Sequence, residues 1–122
     1  MRPYGAADYE SISQWCSLRD QAPPLEKYMP DTGLIIDDIA CGFLIVTSNG
    51  CGILDFYITN PHADRDDRKR ALFEITEELL EVARDSNLNM ILADTKSGSI
   101  ERLALKMGFK ELGEFKSFAL EL

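Results

Sequence analysis

The sequence predicts a single α/β (α+β) domain built on a mixed, mostly antiparallel sheet with helices on both faces. Three observations carry that prediction. The chain has 122 residues, one domain's worth, and buries roughly two-thirds of its unfolded surface on folding. Two runs rich in β-branched and aromatic residues flank Asn49-Gly50 and read as a hairpin. Two amphipathic helical stripes, one after Pro61 and one after Ser97, bracket a short apolar run at residues 89–94.

Residues 1–7 read as a short edge strand or an extended arm. Asp8 precedes Tyr9, Ile12, Trp15 and Cys16, a helical spacing with an N-cap residue in front. Gln21-Ala22-Pro23-Pro24 ends that helix, because proline cannot continue it, and residues 20–32 with three prolines read as a loop. Gly33 to Asp37, Ile39 to Thr47 and Cys51 to Thr59 read as strands.

A two-residue Asn49-Gly50 turn pairs Ser48 with Cys51, Ile45 with Leu54, Leu44 with Asp55, Phe43 with Phe56 and Cys41 with Ile58. Phe43, Ile45, Leu54 and Phe56 then share one face and Leu44, Val46 and Ile53 the other, so the sheet is covered on both sides.

After Pro61 a long helix runs to about Asp85, with Leu72, Ile75, Leu79, Val82 and Ala83 as its buried stripe. Asp64, Asp66 and Asp67 crowd its N-terminus, where the helix dipole favours carboxylates. Asn89 to Asp94 reads as a buried strand. Ser97 or Ser99 caps a last helix carrying Ile100, Leu103, Ala104 and Met107, which Gly108 stops. Phe109 to Leu122 reads as one or two final strands around Gly113, the last of them an edge able to pair with another chain.

Composition narrows the partners. Lys plus Arg is 13 against 21 for Asp plus Glu, a net charge of -8, which repels phosphate backbones and anionic lipid and argues against nucleic acid or membrane. The longest apolar stretch, Ile39 to Val46, is far short of a membrane span of roughly 20 residues. The start of the chain leads into polar sequence rather than a secretory signal. Cys16, Cys41 and Cys51 show no paired spacing and read as reduced thiols of a cytosolic protein. With one histidine, His62, a multi-His metal site is excluded, so no metal is expected.

Several local signals resemble the GNAT superfamily of N-acetyltransferases. Met1-Arg2-Pro3-Tyr4 followed by Asp8 resembles the family's first strand and helix. Cys51-Gly-Ile-Leu-Asp-Phe-Tyr-Ile-Thr-Asn-Pro61 resembles its fourth strand, and Ser99-Ile-Glu-Arg-Leu-Ala-Leu-Lys-Met-Gly108-Phe109 its late helix. Trp15, Pro23-Pro24, Pro30-Asp-Thr-Gly33 and Gly42-Phe43-Leu44 are similar to short GNAT-like proteins of tailed bacteriophages.

The resemblance implies acetyl-CoA as cofactor, held by a glycine-bearing loop whose backbone N–H groups approach the pyrophosphate at a helix start. The spacing from Pro61 to Leu72 matches the family, yet the glycine positions hold Asp67 and Lys69, or Arg68 and Arg70 one residue along. The loop is therefore degenerate, and its cations Arg65, Arg68, Lys69 and Arg70, with Thr59, are the cofactor-binding candidates; the alternative is that the acids cap the helix and the bases form a solvated turn. The family's tyrosine acid is replaced by Ala104. Asp55, with Tyr57 two residues on, is the candidate base on the fourth strand, against a structural role for the carboxylate.

His62 stands near that loop, either reaching a ligand or simply exposed. Trp15, Tyr9, Tyr28 and Met29 line an acceptor groove or form core around the first helix. Cys41 and Cys51 read as small core residues.

Two functions follow. In the first, the chain is a phage-type structural or interaction module, a virion component or a host-directed binder, needing no cofactor. Its partner is then a virion or host protein, or a second copy through an edge strand, in the cytoplasm of an infected bacterium or in the virion. In the alternative it is an acetyl-CoA-dependent N-acyltransferase acting on a small amine or a lysine side chain.

Overall fold

A computed structural model describes residues 1–95, 98–114, 116, 118–120 and 122, apart from the side chain of Ser99. The strands are β1 (Arg2–Pro3), β2 (Thr32–Ile36), β3 (Ala40–Val46), β4 (Cys51–Thr59) and β5 (Met90–Ala93). The helices are α1 (Tyr9–Leu18), α2 (Arg65–Asp85) and α3 (Gly98–Lys106), with single 3-10 turns at Ala6–Asp8 and Glu26–Tyr28. The five strands lie in the order β1-β2-β3-β4-β5. All neighbours are antiparallel except β4 and β5, which run parallel across the α2 crossover. The sheet is mixed and mostly antiparallel, as the sequence predicts.

Each face has its own core. On one side α2 lays Ala71, Ile75, Leu79 and Ala83 against Ala40, Leu44 and Leu54. On the other, Ile12 and Trp15 of α1 meet Ile35, Cys41 and Phe43. Trp15 is thus core, and Tyr9 and Met29 pack against the same cluster, whereas Tyr28 is exposed. The cysteines are free thiols. Burial pushes the Cys41 thiol up to about 12, so it stays protonated and unreactive.

Asp8 does not cap α1 with its side chain. It accepts instead from the Gly5 N–H at 2.8 Å and pairs with Arg2 at 2.6 Å, and Arg2 also reaches Asp37 at 2.7 Å. The carboxylate is better satisfied by a guanidinium and the preceding turn than by the helix amides alone.

The β3–β4 register differs from the sequence reading. Leu44 lies opposite Leu54 and Phe43 opposite Asp55, one residue away from the expected pairs. The loop holds three residues, Ser48–Gly50, because the Thr47 N–H closes on the Cys51 carbonyl and Gly50 adopts φ +87°. Cys41 nevertheless faces Ile58. Between these pairs Gly42 of β3 opposes both Phe56 and Tyr57, a bulge in which Phe56 takes φ +54°. The bulge restores the register that the longer loop displaces. It also shifts the alternation by one: with Leu54 on the α2 side a regular pleat would put Phe56 there, but Phe56 packs on the α1 side and Tyr57 on the α2 side.

The described residues after Phe109 lie outside any strand, which corrects the expected C-terminal strands as far as they are described; Phe115, Ser117 and Glu121 lie outside the described residues. Among the described residues the alternation there meets no partner: Phe118 and Leu120 are 92% and 83% exposed, and a strand needs a paired ladder as well as a pattern. Ser99 lies inside α3 rather than capping it, and Ser97 lies outside the described residues.

Candidate functional site

The site begins where β4 outruns its neighbour. Pairing between β4 and β5 ends at Leu54 with Ala93, while β4 continues to Thr59. The free edge of β4 and the facing side of α3 enclose an apolar cavity of about 320 Å³, lined by Leu54, Phe56, Tyr57, Ile100, Leu103, Ala104 and Met107, with Asp55 and Asp94 as its charged members. A second cavity of about 750 Å³ shares Tyr57, Ile100 and Leu103 with the first and opens toward the start of α2. The two share walls along the same edge of β4.

Their electrostatics are opposite. Every charged side chain described along the larger cavity is a cation: Arg19, Arg65, Arg68, Lys69, Arg70, Arg102 and Lys106. More than half of the chain's 13 basic residues gather there although the whole carries -8. Such a focus of positive potential draws an anionic ligand.

The four α2 candidates, Arg65, Arg68, Lys69 and Arg70, all line this cavity, as does Thr59. Arg70 also approaches Asp67 at 3.6 Å, a weak exposed pair. Arg68 is half-buried, and its Nε is buried without a hydrogen-bond partner among the described residues. The acids of the loop cap the helix: Asp64 accepts from the N–H groups of Asp66 and Asp67 at 2.9 and 3.3 Å. The loop therefore divides its labour, with acids closing the helix end and bases lining the cavity.

Thr59 has both oxygens engaged by Arg19. One guanidinium nitrogen donates to the Thr59 carbonyl and the other to Oγ1 at 2.7 Å. Arg19 sits at the end of α1, where Asp20 turns left-handed at φ +55° and the Gln21 N–H returns to the Cys16 carbonyl. Desolvation, with the nearby charge of Arg68, lowers the Arg19 pKa.

Asp55 is exposed at the mouth of the apolar cavity, and its Oδ1 accepts from the Phe56 N–H at 2.7 Å. Tyr57 lines both cavities with a proton already committed. Thr76 Oγ1 gives its hydrogen to the Leu72 carbonyl, so the Tyr57 hydroxyl donates to Thr76 at 2.7 Å. Burial pushes the Tyr57 pKa up to about 12. His62 is exposed, and its backbone N–H is held by Asn60. No three His, Cys, Asp or Glu side chains converge on a metal position among the described residues. No helix among the described residues is long and apolar enough to cross a membrane.

Sequence reasoning missed Arg19, Arg102 and Lys106. The last two are four residues apart and share a face beside Ile100 and Leu103, a signal legible in the sequence. Arg19 carries no such signal, since a basic residue at a helix C-terminus reads as a partner of the dipole.

The residues present fit an anionic cofactor through side chains rather than through the amides of Asp66 and Asp67, which Asp64 has taken. No protein-family model and no curated protein sequence matches the chain significantly. Solved structures do. An acetyltransferase from Trypanosoma brucei superposes with a TM-score of 0.71 at 16% identity, covering 99% of this chain and 97% of that one. A Thermus thermophilus protein gives 0.72 at 11% identity, over 99% and 95%. A Mycobacterium tuberculosis protein solved in complex with CoA gives 0.67 at 18% identity, over 97% and 75%. The element order, the divergence of β4 from β5 and these similarities together give this chain a GNAT-like fold.

Proposed function

We propose that the chain binds acetyl-CoA, or a related CoA thioester, along the two adjoining cavities and passes the acyl group to an amine. The observation that carries this reading is the polarity of the pair: a cation-lined cavity beside an apolar slot that ends at a carboxylate. A ligand with an anionic head and a long, thin, uncharged arm matches that sequence of surfaces. The likeness to a fold that holds CoA in the Mycobacterium tuberculosis protein supports it.

Acetyl-CoA supplies an activated acyl carbon. The β4 edge and α3 orient the arm and exclude water from the slot, which places the carbonyl beside the amine and lowers the barrier by positioning. As the N–C bond forms and the C–S bond breaks, Asp55, or water it holds, takes the ammonium proton. With Ala104 where the family places an acid, the thiolate is protonated by solvent. The acidic surface suits a cationic acceptor, a small polyamine or a lysine-rich segment.

Isothermal titration with acetyl-CoA and CoA at low salt tests the reading. Micromolar binding that weakens with salt is expected, followed by transfer in an amine screen. No heat and no thermal stabilisation at millimolar ligand would retire it.

A second reading, a phage-type module that binds a virion or host protein, is favoured by Ala104 and by the helix amides that Asp64 satisfies. It places the protein in an infected bacterium or in the virion. It expects partner binding to survive Asp55→Asn.

A further inference from the structure

Two guanidinium groups differ from the other cations of the large cavity. Arg65, Lys69, Arg70, Arg102 and Lys106 are exposed, whereas Arg19 and Arg68 are half-buried. Arg19 is fixed by two hydrogen bonds to Thr59, and Arg68 presents a buried Nε with no partner among the described residues. No carboxylate described along the cavity neutralises them. Like charges brought together with partial loss of water are unfavourable unless an anion completes the arrangement. Asp64 already occupies the α2 amides of Asp66 and Asp67, so these two do not supply that site.

We infer that Arg19 and Arg68 form a guanidinium clamp for two linked phosphates, with Thr59 as the residue that positions Arg19. The clamp rests on the CoA-thioester reading and specifies how the ligand's pyrophosphate is held, by guanidinium side chains instead of a backbone cradle. The Arg68 fork can donate two parallel hydrogen bonds to phosphate oxygens, which an ammonium cannot reproduce, whereas Arg19, with both terminal nitrogens on Thr59, adds its charge and its remaining N–H groups.

The test is isothermal titration of the wild type, Arg19→Gln, Arg68→Gln, Arg68→Lys and Lys27→Gln with inorganic pyrophosphate and with acetyl-CoA, with circular dichroism on each variant. The two glutamine variants of the clamp should each weaken both ligands by about 10- to 100-fold, the range of a lost charged hydrogen bond. Arg68→Lys should recover less than half of that loss on a logarithmic scale, since it restores charge without the fork. Lys27→Gln, an exposed cation outside the cavity, should change binding by less than about threefold. Equal losses in all the variants would overturn the clamp in favour of diffuse charge. Wild-type acetyl-CoA binding that Arg19→Gln and Arg68→Gln leave unchanged would overturn the clamp alone. Failure of the wild type to bind either ligand would overturn the clamp and the CoA reading together.

Discussion

The ring of Tyr57 lies over Gly42 so closely that a Cβ there would stand 2.6 Å from Cε1 of the tyrosine and 3.0 Å from Cγ2 of Ile75. This contact is what the bulge creates: Phe56 turns left-handed, and Tyr57 swings onto the α2 face above the one residue that leaves room. Gly42→Ala should therefore destabilise the fold by about 1–3 kcal/mol through overpacking. Urea unfolding checks it, and an unchanged midpoint would mean the ring can move aside.

Tyr4 offers a change in the opposite direction. Its hydroxyl is buried without a partner among the described residues, its ring packs edge-on to Phe43 at 4.8 Å, and desolvation pushes its pKa up to about 12. Tyr4→Phe keeps the ring contact and removes a group that lost its water for nothing. Stability should rise by about 1 kcal/mol, read as a Tm higher by about 4 °C.

The Arg2–Asp8 pair sets the acid limb of stability. Arg2, with the Gly5 amide, holds the Asp8 carboxyl below its ordinary 3.8 against the opposing effect of burial. A carboxyl whose folded pKa is depressed contributes stability above its unfolded pKa and loses it as pH falls through the folded value. The loss should begin near the ordinary 3.8 and continue below it. Asp8→Asn should lower stability at neutral pH and flatten the curve below pH ~4, measured by thermal melts across pH.

Asp64 separates helix capping from ligand binding. Asp64→Ala removes the acceptor for two amides and should cost about 1 kcal/mol of stability. Pyrophosphate affinity should not fall, because the clamp side chains are untouched. Paired melting and titration of this variant give both readouts.

Asp55 separates binding from chemistry. An asparagine there can still accept from the Phe56 N–H, so the bulge survives. Asp55→Asn should leave acetyl-CoA affinity unchanged and slow amine acylation by about 10²–10⁴-fold. A variant as fast as wild type would remove the carboxylate from the mechanism.

The sequence made some of this legible and concealed the rest for physical reasons. Asn49-Gly50 signals a hairpin, but the loop length depends on which residue closes it, and Gly50 at φ +87° lets Thr47 and Cys51 do so. Nothing marks Phe56 as a bulge residue, since phenylalanine has no preference for a left-handed backbone. That conformation accompanies the shift in alternation that puts Phe56 on the α1 core and Tyr57, like Leu54, on the α2 core. The cations of α2 were legible as a cluster, whereas Arg19 joins them from a distant helix end. At the C-terminus, alternation in Phe118 and Leu120 suggested a strand, and the described chain leaves both exposed.

The bulge at Phe56 and the three-residue loop shift the pairing by one residue in opposite senses, so each cancels the other outside the segment between them. The pairs from Phe43–Asp55 to Thr47–Cys51 consequently form a window that can slide by one position relative to the rest of the sheet. A two-residue loop without the bulge would keep both the outer ladder and the chain length. Only inside that window would the equivalent positions change partners. Asp55 is its last member, so the carboxylate facing the slot is among the residues whose partners such an exchange would alter.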